Sequence, residues 1–596
     1  MKFKTILLSI ALVAGAVTSC TDTWDDHYTV ATHGEGTLWQ QIGNDASLSN
    51  FKAVLEATGY DKMLNSSQVF TVFAPTNDQL TENDVKNYIA QYNAEKAKGV
   101  KDEKNTVIKE FVNNHISLYN YSVSNEMPDA AINMMNGKRI AFTHDSFAGR
   151  QFLSKNALSS NGVLFKIGEK ADYVPSVYEQ LSKDADLDSV WTYLSEYSLE
   201  EFKPGLSVPG EIIDGKTHYL DSVTVTTNEI LEEWFEGKIE DEDSTYWMVA
   251  PTNEVWRDKL KENVKYFVYD KKVSQTERDS FQYHYPRYNI IVGGIFSKTA
   301  NQKIFQNETA AAKDSAMSTN AVPYLDRRRV FGSYDKKYYQ YNDPYGANGV
   351  FTGTVNYDCS NGRVMKAAKW NIPNSATFLR EIVMEGESSN TLDSLNVKSD
   401  DNKTGDTNPA KNINVASGNP FYNKVSGHGY LEISPSGTGN FSKALFDVRG
   451  VLSNVPYDVY IVAAPAEAGD TTATEQQCLP TVFRCAIQCH DAEGNAYYTN
   501  TKGELKRPVY TNNDPNRPTT NYTQSDVAVD RLTTTAGVVD SVFVGTYTFP
   551  TCSYSLSEAQ VKIIIDSRVS STQYNNKQYN RTLRLDCIVF KPHEEE

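Results

Sequence analysis

The chain has 596 residues, with 75 Asp and Glu against 58 Lys and Arg and a formal net charge of −17. Hydrophobic residues make up 40%, enough for packed cores, and the length predicts about three or four domains. The acidic balance, with no basic stripe or polybasic segment, excludes a nucleic-acid partner and electrostatic attachment to anionic lipid. The 36 Tyr suit either binding surfaces, where they give rigid contact area, or a Tyr-rich β core.

Lys2 and Lys4 precede an apolar run over residues 5–17, which is too short to span a bilayer. Val17, Thr18 and Ser19 then lead into Cys20. This predicts a signal peptide over residues 1–19. With the Cys, it resembles a bacterial lipoprotein leader, which implies cleavage before Cys20 and acylation of it. Several acyl chains hold a protein firmly where one does not. An acidic tether over residues 20–35 carries Asp22, Asp25 and Asp26. It resembles the surface-export signal of Bacteroidetes-type lipoproteins, and a plain solvated spacer has the same composition. The implied location is the outer membrane, lipid-anchored and surface-exposed. No later run is long enough for a transmembrane helix.

Residues 36–175 are expected to form a first domain. Leu38, Trp39 and Ile42, then Phe51, Val54 and Leu55, fall at helical spacing, and Gly59 suits a helix C-cap. Val69, Phe70, Thr71, Val72, Phe73 and Ala74 predict a buried strand, ended by Pro75, which has no N–H for a ladder. Thr76 is predicted to N-cap the next helix, with Gln79 completing a capping box and Asp78 at the positive end of the helix dipole. The tetrapeptide Ala74-Pro75-Thr76-Asn77 returns as Ala250-Pro251-Thr252-Asn253, again behind an apolar run, Tyr246 to Val249, and before an acidic residue, Glu254. Val255 leaves this second cap without a box. Two copies of one strand-to-helix junction predict two related domains, the second over residues 176–387.

The junction, with Phe73 leading into it, resembles the hallmark of the fasciclin domain. The run from Ile108 to His115 is similar to that family's helix ending in a His, and Asn161, Gly162, Val163, Leu164, Phe165, Lys166 and Ile167 resemble its closing strand. The resemblance implies tandem α+β domains, each a β-sandwich core with helices, in which His115 packs and hydrogen-bonds. It also implies cell-surface adhesion with protein or glycan contacts. The second copy departs. Gly294 falls where His115 should recur, and His284 is nearby in another register. Its closing strand is expected at Asn361, Gly362, Arg363, Val364, Met365 and Lys366. Extra segments lie over residues 217–223 and 324–358.

Residues 388–415 are polar, with Gly and Pro, and are expected to form a linker. Asp400, Asn402, Thr404 and Gly405 take calcium-loop spacing, but Lys411 stands where the loop needs Glu, so no metal is expected there. Apolar runs over residues 430–433, 444–448, 457–464, 482–489, 539–549, 561–565 and 583–590 predict an all-β sandwich or jelly roll over residues 416–593. The last of them resembles the final strand of carbohydrate-binding-module-like and galactose-binding-like jelly rolls. That implies sugar binding, although such sandwiches also serve as spacers and docking modules. Cys359 is alone in the second domain. Cys478, Cys485, Cys489, Cys552 and Cys587 fall in the third, where they are expected as buried thiols or cross-strand pairs. Cys489 and His490 point to opposite faces of a strand, which argues against zinc.

No nucleophile elbow, His-Glu-x-x-His or phosphate loop is present, and no cofactor or catalytic residue is expected. Acidic runs such as Asp241, Glu242 and Asp243 suit solvated faces. Two distant carboxylates would still suffice for a glycoside hydrolase. The expectation is a non-enzymatic surface lipoprotein for adhesion or binding. Beside an outer-membrane transporter of starch-utilisation type, it would capture a glycan or peptide. The alternative is a purely structural docking partner.

Overall fold

The computed structural model describes residues 34–593 except 125–127, 203–207, 214–215, 222–223, 307–313, 321–328, 331–332, 335–337, 389–391, 397–409, 436–441, 503, 507–527 and 557–558. The leader, Cys20 and most of the tether lie outside the described residues, as do Asp400, Asn402, Thr404 and Gly405.

In the first unit, helices Leu38–Asn44 and Ser49–Ala57 precede the motif strand Phe70–Pro75. Seven strands follow the order Ile116–Ser117, Phe70–Pro75, Gly162–Ile167, Arg150–Ser159, Ser146–Phe147, Arg139–Phe142 and Ala130–Asn133. The motif strand runs parallel to Gly162–Ile167, with Phe70 opposite Gly162 and Pro75 opposite Ile167. Both of its faces are covered. Phe70, Val72 and Ala74 join a helical core with Phe51 and Phe111, while Phe73 enters a second core with Phe142, Phe147 and Phe165. This is why the run is continuously apolar rather than alternating. Beyond Pro75, the Thr76 N–H carries the ladder on to the Ile167 carbonyl.

Thr76 does not cap the following helix. That helix is Glu82–Ala97, and its reciprocal box joins Thr81 to Asp84. Residues 77–80 form a turn because Asn77 is held by the preceding helices (described below), and the Thr76 hydroxyl is buried without a partner. In the second copy, Thr252 does cap: its hydroxyl accepts from Val255 N–H at the start of Asn253–Asn263.

The second unit retraces this path. Val177–Lys183, Ala185–Leu187 and Asp188–Ser195 follow the order of Leu38–Asn44, Ala46–Leu48 and Ser49–Ala57. Tyr246–Pro251 then pairs parallel with Gly362–Ala367 in the matching register, Tyr246 opposite Gly362 and Pro251 opposite Ala367. Two hairpins intervene before it, Ser198–Phe202 with Thr224–Asn228 and Val208–Ile213 with Lys216–Asp221. A third, Ser315–Asn320 with Tyr338–Asn342, precedes the closing strands.

The C-terminal body is two antiparallel sheets. One contains Ala410–Asn414, Gly429–Ile433, Leu583–Pro592, Pro456–Ala463 and Asp540–Thr548, with Ile382–Glu385 on Leu583–Pro592. The other contains Leu392–Asn396, Lys443–Val448, Val561–Ser567, Val482–His490, Ala496–Thr499 and Leu505–Lys506, with Val529–Thr533 on Val482–His490. Phe446, Ile563 and Phe483 of one meet Tyr457, Ile461 and Phe590 of the other in one core. Ile382–Glu385 lies before the expected linker, and Leu392–Asn396 and Ala410–Asn414 lie within it, yet all three are strands of these sheets. Ala410–Asn414 is an outer strand with largely exposed side chains, so its composition reads as loop.

Phe267, Tyr269, Tyr285 and Phe378 of the second unit belong to that same core. Backbone bonds stitch the join: Lys271 N–H to Ala492, Ser453 N–H to Tyr266 and Cys552 N–H to Val268. The Asp270 carboxylate receives His490 at 2.7 Å. No helix among the described residues is long and apolar enough to cross a membrane.

Candidate functional site

The motif residues work as internal clamps. The Asn77 amide donates to Ala46 O and Ser49 Oγ, both at 2.9 Å, and its carbonyl accepts from Asn50 N–H at 3.0 Å. Asn253 repeats this on Ala185 O and Ser189 N–H. Each Asn thus ties the strand's exit to the start of an earlier helix. A second pair closes the other end. Asn161 accepts from Leu38 N–H and donates to Leu64 O and Ser66 O. Asn361 accepts from Val177 N–H and donates to Ile239 O and Asp241 O. Gly162 and Gly362 follow them at φ +146° and +149°. A Cβ there would fall 1.9 Å from Phe70 O or 1.7 Å from Tyr246 O, so only Gly lets the strands meet. The sequence reading put Asn161 and Asn361 at the head of the closing strands, which begin one residue later at Gly162 and Gly362, and nothing in the single sequence marked them as clamps.

His115 is fully buried. Its Nε2 accepts from Ala171 N–H at 2.9 Å, so its proton sits on Nδ1, which donates to Phe111 O at 2.7 Å. Burial lowers its pKa to about 4. With both nitrogens occupied and the ring between Phe51 and Phe111, it has no free atom for proton transfer to a ligand. Phe73 N–H bonds His115 O, and Val249 N–H bonds Gly294 O, so Gly294 occupies the equivalent place. A Cβ on Gly294 would meet Ile291 O at 3.0 Å and Val249 O at 3.1 Å, with Ile372 Cδ1 at 3.4 Å. Ile372 fills the space an imidazole would need. His284 lies apart, against Tyr197 Oη at 2.8 Å, and burial lowers its pKa to about 4.

The first two units meet at a buried cation. Lys138, in the turn between Ala130–Asn133 and Arg139–Phe142, has a side chain only 6% exposed. Its Nζ donates to Glu179 at 2.7 Å, Glu242 at 2.6 Å and Ser360 Oγ at 3.1 Å, all of the second unit. Lys109 also reaches Glu179, and Lys183 crosses back to Glu110. Burial opposes ionisation of Glu179, but Lys109 and Lys138 outweigh it and hold its pKa well below the carboxylate range. Glu242, read as a solvated face, is therefore an interface residue.

A third cluster escaped the sequence reading altogether. Glu385 and Glu387 flank Gly386, whose N–H bonds Asp586 O at 2.7 Å. The Asp586 side chain, on the last strand, accepts from Ser426 N–H at 3.0 and 3.2 Å. Ser426 Oγ donates to Glu385 Oε1 at 2.7 Å. One ligand atom each of Glu385, Asp586 and Cys587 lies within 4.8 Å of the others. Asp586 is 1% exposed. Burial, reinforced by Glu385 and Glu387, pushes its pKa up to about 8 against the Ser426 bond. The signal was faint: two Glu one residue apart before a polar stretch, and one Asp in an apolar strand.

Among the described residues the six cysteines are unpaired with one another, and Cys485, Cys489, Cys552 and Cys587 are buried. Burial raises the Cys485, Cys489 and Cys552 thiols, which makes them inert.

Residues 46–169 match the family model of the fasciclin domain. No curated protein matches the chain. Among solved structures, the chain is similar to a FAS1 domain pair from the insect cell adhesion molecule fasciclin I, at 10% identity and a TM-score of 0.18, covering 56% of this chain and 98% of that one. It is also similar to the enzymatically active domain of tailspike protein 4 from bacteriophage CBA120, at 10% identity and a TM-score of 0.13, covering 30% of this chain and 19% of that one.

Proposed function

We propose that this protein is a non-enzymatic binding or adhesion protein of the bacterial outer surface, anchored by lipid on Cys20. In this reading the second unit is a diverged fasciclin domain in tandem with the first, and the C-terminal sheets form a sandwich-type module. The observation that carries the reading is how the matched domain uses its chemistry. Asn77, Asn161 and His115 are all spent on internal hydrogen bonds, so the domain serves as a scaffold. The Lys138 node and the core shared with Phe267 and Tyr269 join the three bodies. That makes a stiff arm suited to presenting a surface away from a membrane. The acidic tether and Bacteroidetes-like leader support a role for such an arm beside an outer-membrane transporter of starch-utilisation type, capturing a glycan or peptide.

Pull-down from detergent-solubilised outer membranes, paired with glycan and peptide arrays, tests this. Co-purification of a transporter together with an array ligand supports capture. Co-purification without any ligand selects the purely structural role. Turnover of an array ligand sinks the non-enzymatic reading.

A further inference from the structure

We propose that the groove between residues 243–246 and helix Gln302–Gln306 of the second unit binds a short neutral saccharide, an assignment that rests on the capture reading above. The groove has a volume of about 450 Å³, within the range of roughly 300–1,000 Å³ that small-molecule sites occupy. Its lining is polar and carries no net charge. Ser244, Thr245, Thr299, Gln302 and Gln306 bring hydroxyls and carboxamides to it, none with a hydrogen-bond partner among the described residues. Such groups both donate and accept, which matches the hydroxyls of a sugar. The two charged lining residues, Asp243 and Lys298, are of opposite sign. Tyr246, half-buried, also lines the groove and combines an apolar ring with a polar tip.

The second copy leaves its motif strand by a different path from the first. In the first, Thr71 Oγ1 donates to Tyr119 O at 2.7 Å and accepts from Tyr121 N–H at 2.8 Å, which ties residues 119–121 to the motif strand. Trp247 takes the Thr71 register in the second copy. It has no hydroxyl for those bonds and stacks instead on Phe305, with ring centroids 4.1 Å apart. The chain therefore continues from Ile295–Ser297 into helix Gln302–Gln306, and the groove lies between that helix and the turn into Tyr246–Pro251. Its walls are fixed. Lys298 N–H bonds Thr245 O at 2.9 Å. Asn301, 4% exposed, donates to Ser297 O at 2.8 Å and Met317 O at 2.9 Å and accepts from Met317 N–H at 2.7 Å. This clamp also occupies the outer edge of Ile295–Ser297, so an extended peptide has no strand edge to join there. That favours a saccharide over a peptide. Arg139 of the first unit stands 3.6 Å from Asp243, which sets the groove beside the joint between the two units.

Calorimetry and saturation-transfer NMR on the purified full-length mature chain test the site, with maltotriose, cellotriose and xylotriose as probes and trialanine and trigalacturonate as contrasts. The expected result is binding of at least one neutral trisaccharide, with slower hydrogen exchange at residues 243–246 and 298–306 when it is bound. Gln302→Ala and Thr245→Val should each weaken that binding about two- to tenfold, as loss of one neutral hydrogen bond requires. Both replace side chains without partners, so their unfolding temperatures should match wild type. Gln91→Ala, on an exposed helix face of the first unit, should bind as wild type. Trisaccharide binding that both variants leave intact, without slowed exchange at the groove, would overturn this assignment and leave the capture reading standing. Binding of trialanine or trigalacturonate alone would overturn the neutral-saccharide class. So would absence of any binding to the neutral trisaccharides at millimolar concentration, whereas the capture reading itself falls only if the arrays yield no ligand at all.

Discussion

His115 gives the chain a defined acid weakness. Its pKa falls from 6.5 to about 4 in the folded protein because the neutral ring is buried with Nε2 as an acceptor. A proton on Nε2 would face the Ala171 N–H instead of accepting from it. Folding therefore favours the neutral form. The stabilisation is complete above pH 6.5, where the unfolded His is also neutral, and is lost as pH falls toward 4. A difference of about 2.5 units at 1.36 kcal/mol each amounts to about 3 kcal/mol across the window, with about 2 kcal/mol already lost by pH 5. Urea unfolding of wild type and His115→Gln through this range isolates the effect. The amide can still accept from Ala171 and donate to Phe111 but does not titrate. The variant should be less stable at neutral pH and lack this part of the acid slope, so the two curves converge as pH falls. His284 contributes equally to both proteins and cancels. Parallel curves, with a constant gap from pH 7 to 4, would refute the reasoning.

Lys138→Met leaves Glu179 and Glu242 facing each other without their shared cation and should cost about 3 kcal/mol, read as faster hydrogen exchange at residues 134–138 and a larger radius of gyration by solution scattering. Unchanged exchange would show that the apolar contacts alone hold the pair. Asn77→Ala removes three hydrogen bonds at one turn and should lower the stability of the first unit by about 2 kcal/mol, while Thr76→Val, at a hydroxyl without a partner, should be neutral or stabilising in the same urea assay. Cys20→Ser should move the protein from the membrane fraction to the soluble periplasm and abolish palmitate labelling. Retention in the membrane would refute the anchor.

What could be read from the sequence is what is local. The motif strand and the Gly294 register follow from composition and from counting along one segment, whereas Pro75 does not stop the strand, because it pairs with Ile167 and Thr76 N–H carries the ladder one residue further. Most strand runs of the C-terminal body were visible because one buried face is apolar without interruption, as with Phe483, Cys485, Ile487 and Cys489 of Val482–His490. Thr76 was misread because the capping pattern is satisfied equally by Thr81 and Asp84 five residues on, and only the tertiary pull on Asn77 decides between them. Ala410–Asn414 was hidden because an outer strand can be polar. The Lys138 node and the Glu385, Glu387 and Asp586 cluster were out of reach for another reason: each joins residues separated by tens to hundreds of positions, and a lone acidic residue reads as solvated until its neighbours across the sheet are known.

The two copies separate closure from occupancy. Closure demands a Gly where the strands touch, an Asn on either side of the strand, and a Lys on the closing strand facing an Asp. Lys166 meets Asp45 at 2.9 Å and Lys366 meets Asp184 at 2.7 Å. These recur in both units because each satisfies a backbone group or a charge that the topology itself creates. The buried His does not recur, because its job is to fill space and bridge two loops, and Ile372 with the Tyr341 hydroxyl on Gly293 O does that differently. A feature present in both copies is thus explained by the fold and carries no information about a ligand. Specific function has to come from groups the duplicated topology does not require: the hairpins inserted before Tyr246, the Lys138 junction, and the polar groove beside helix Gln302–Gln306.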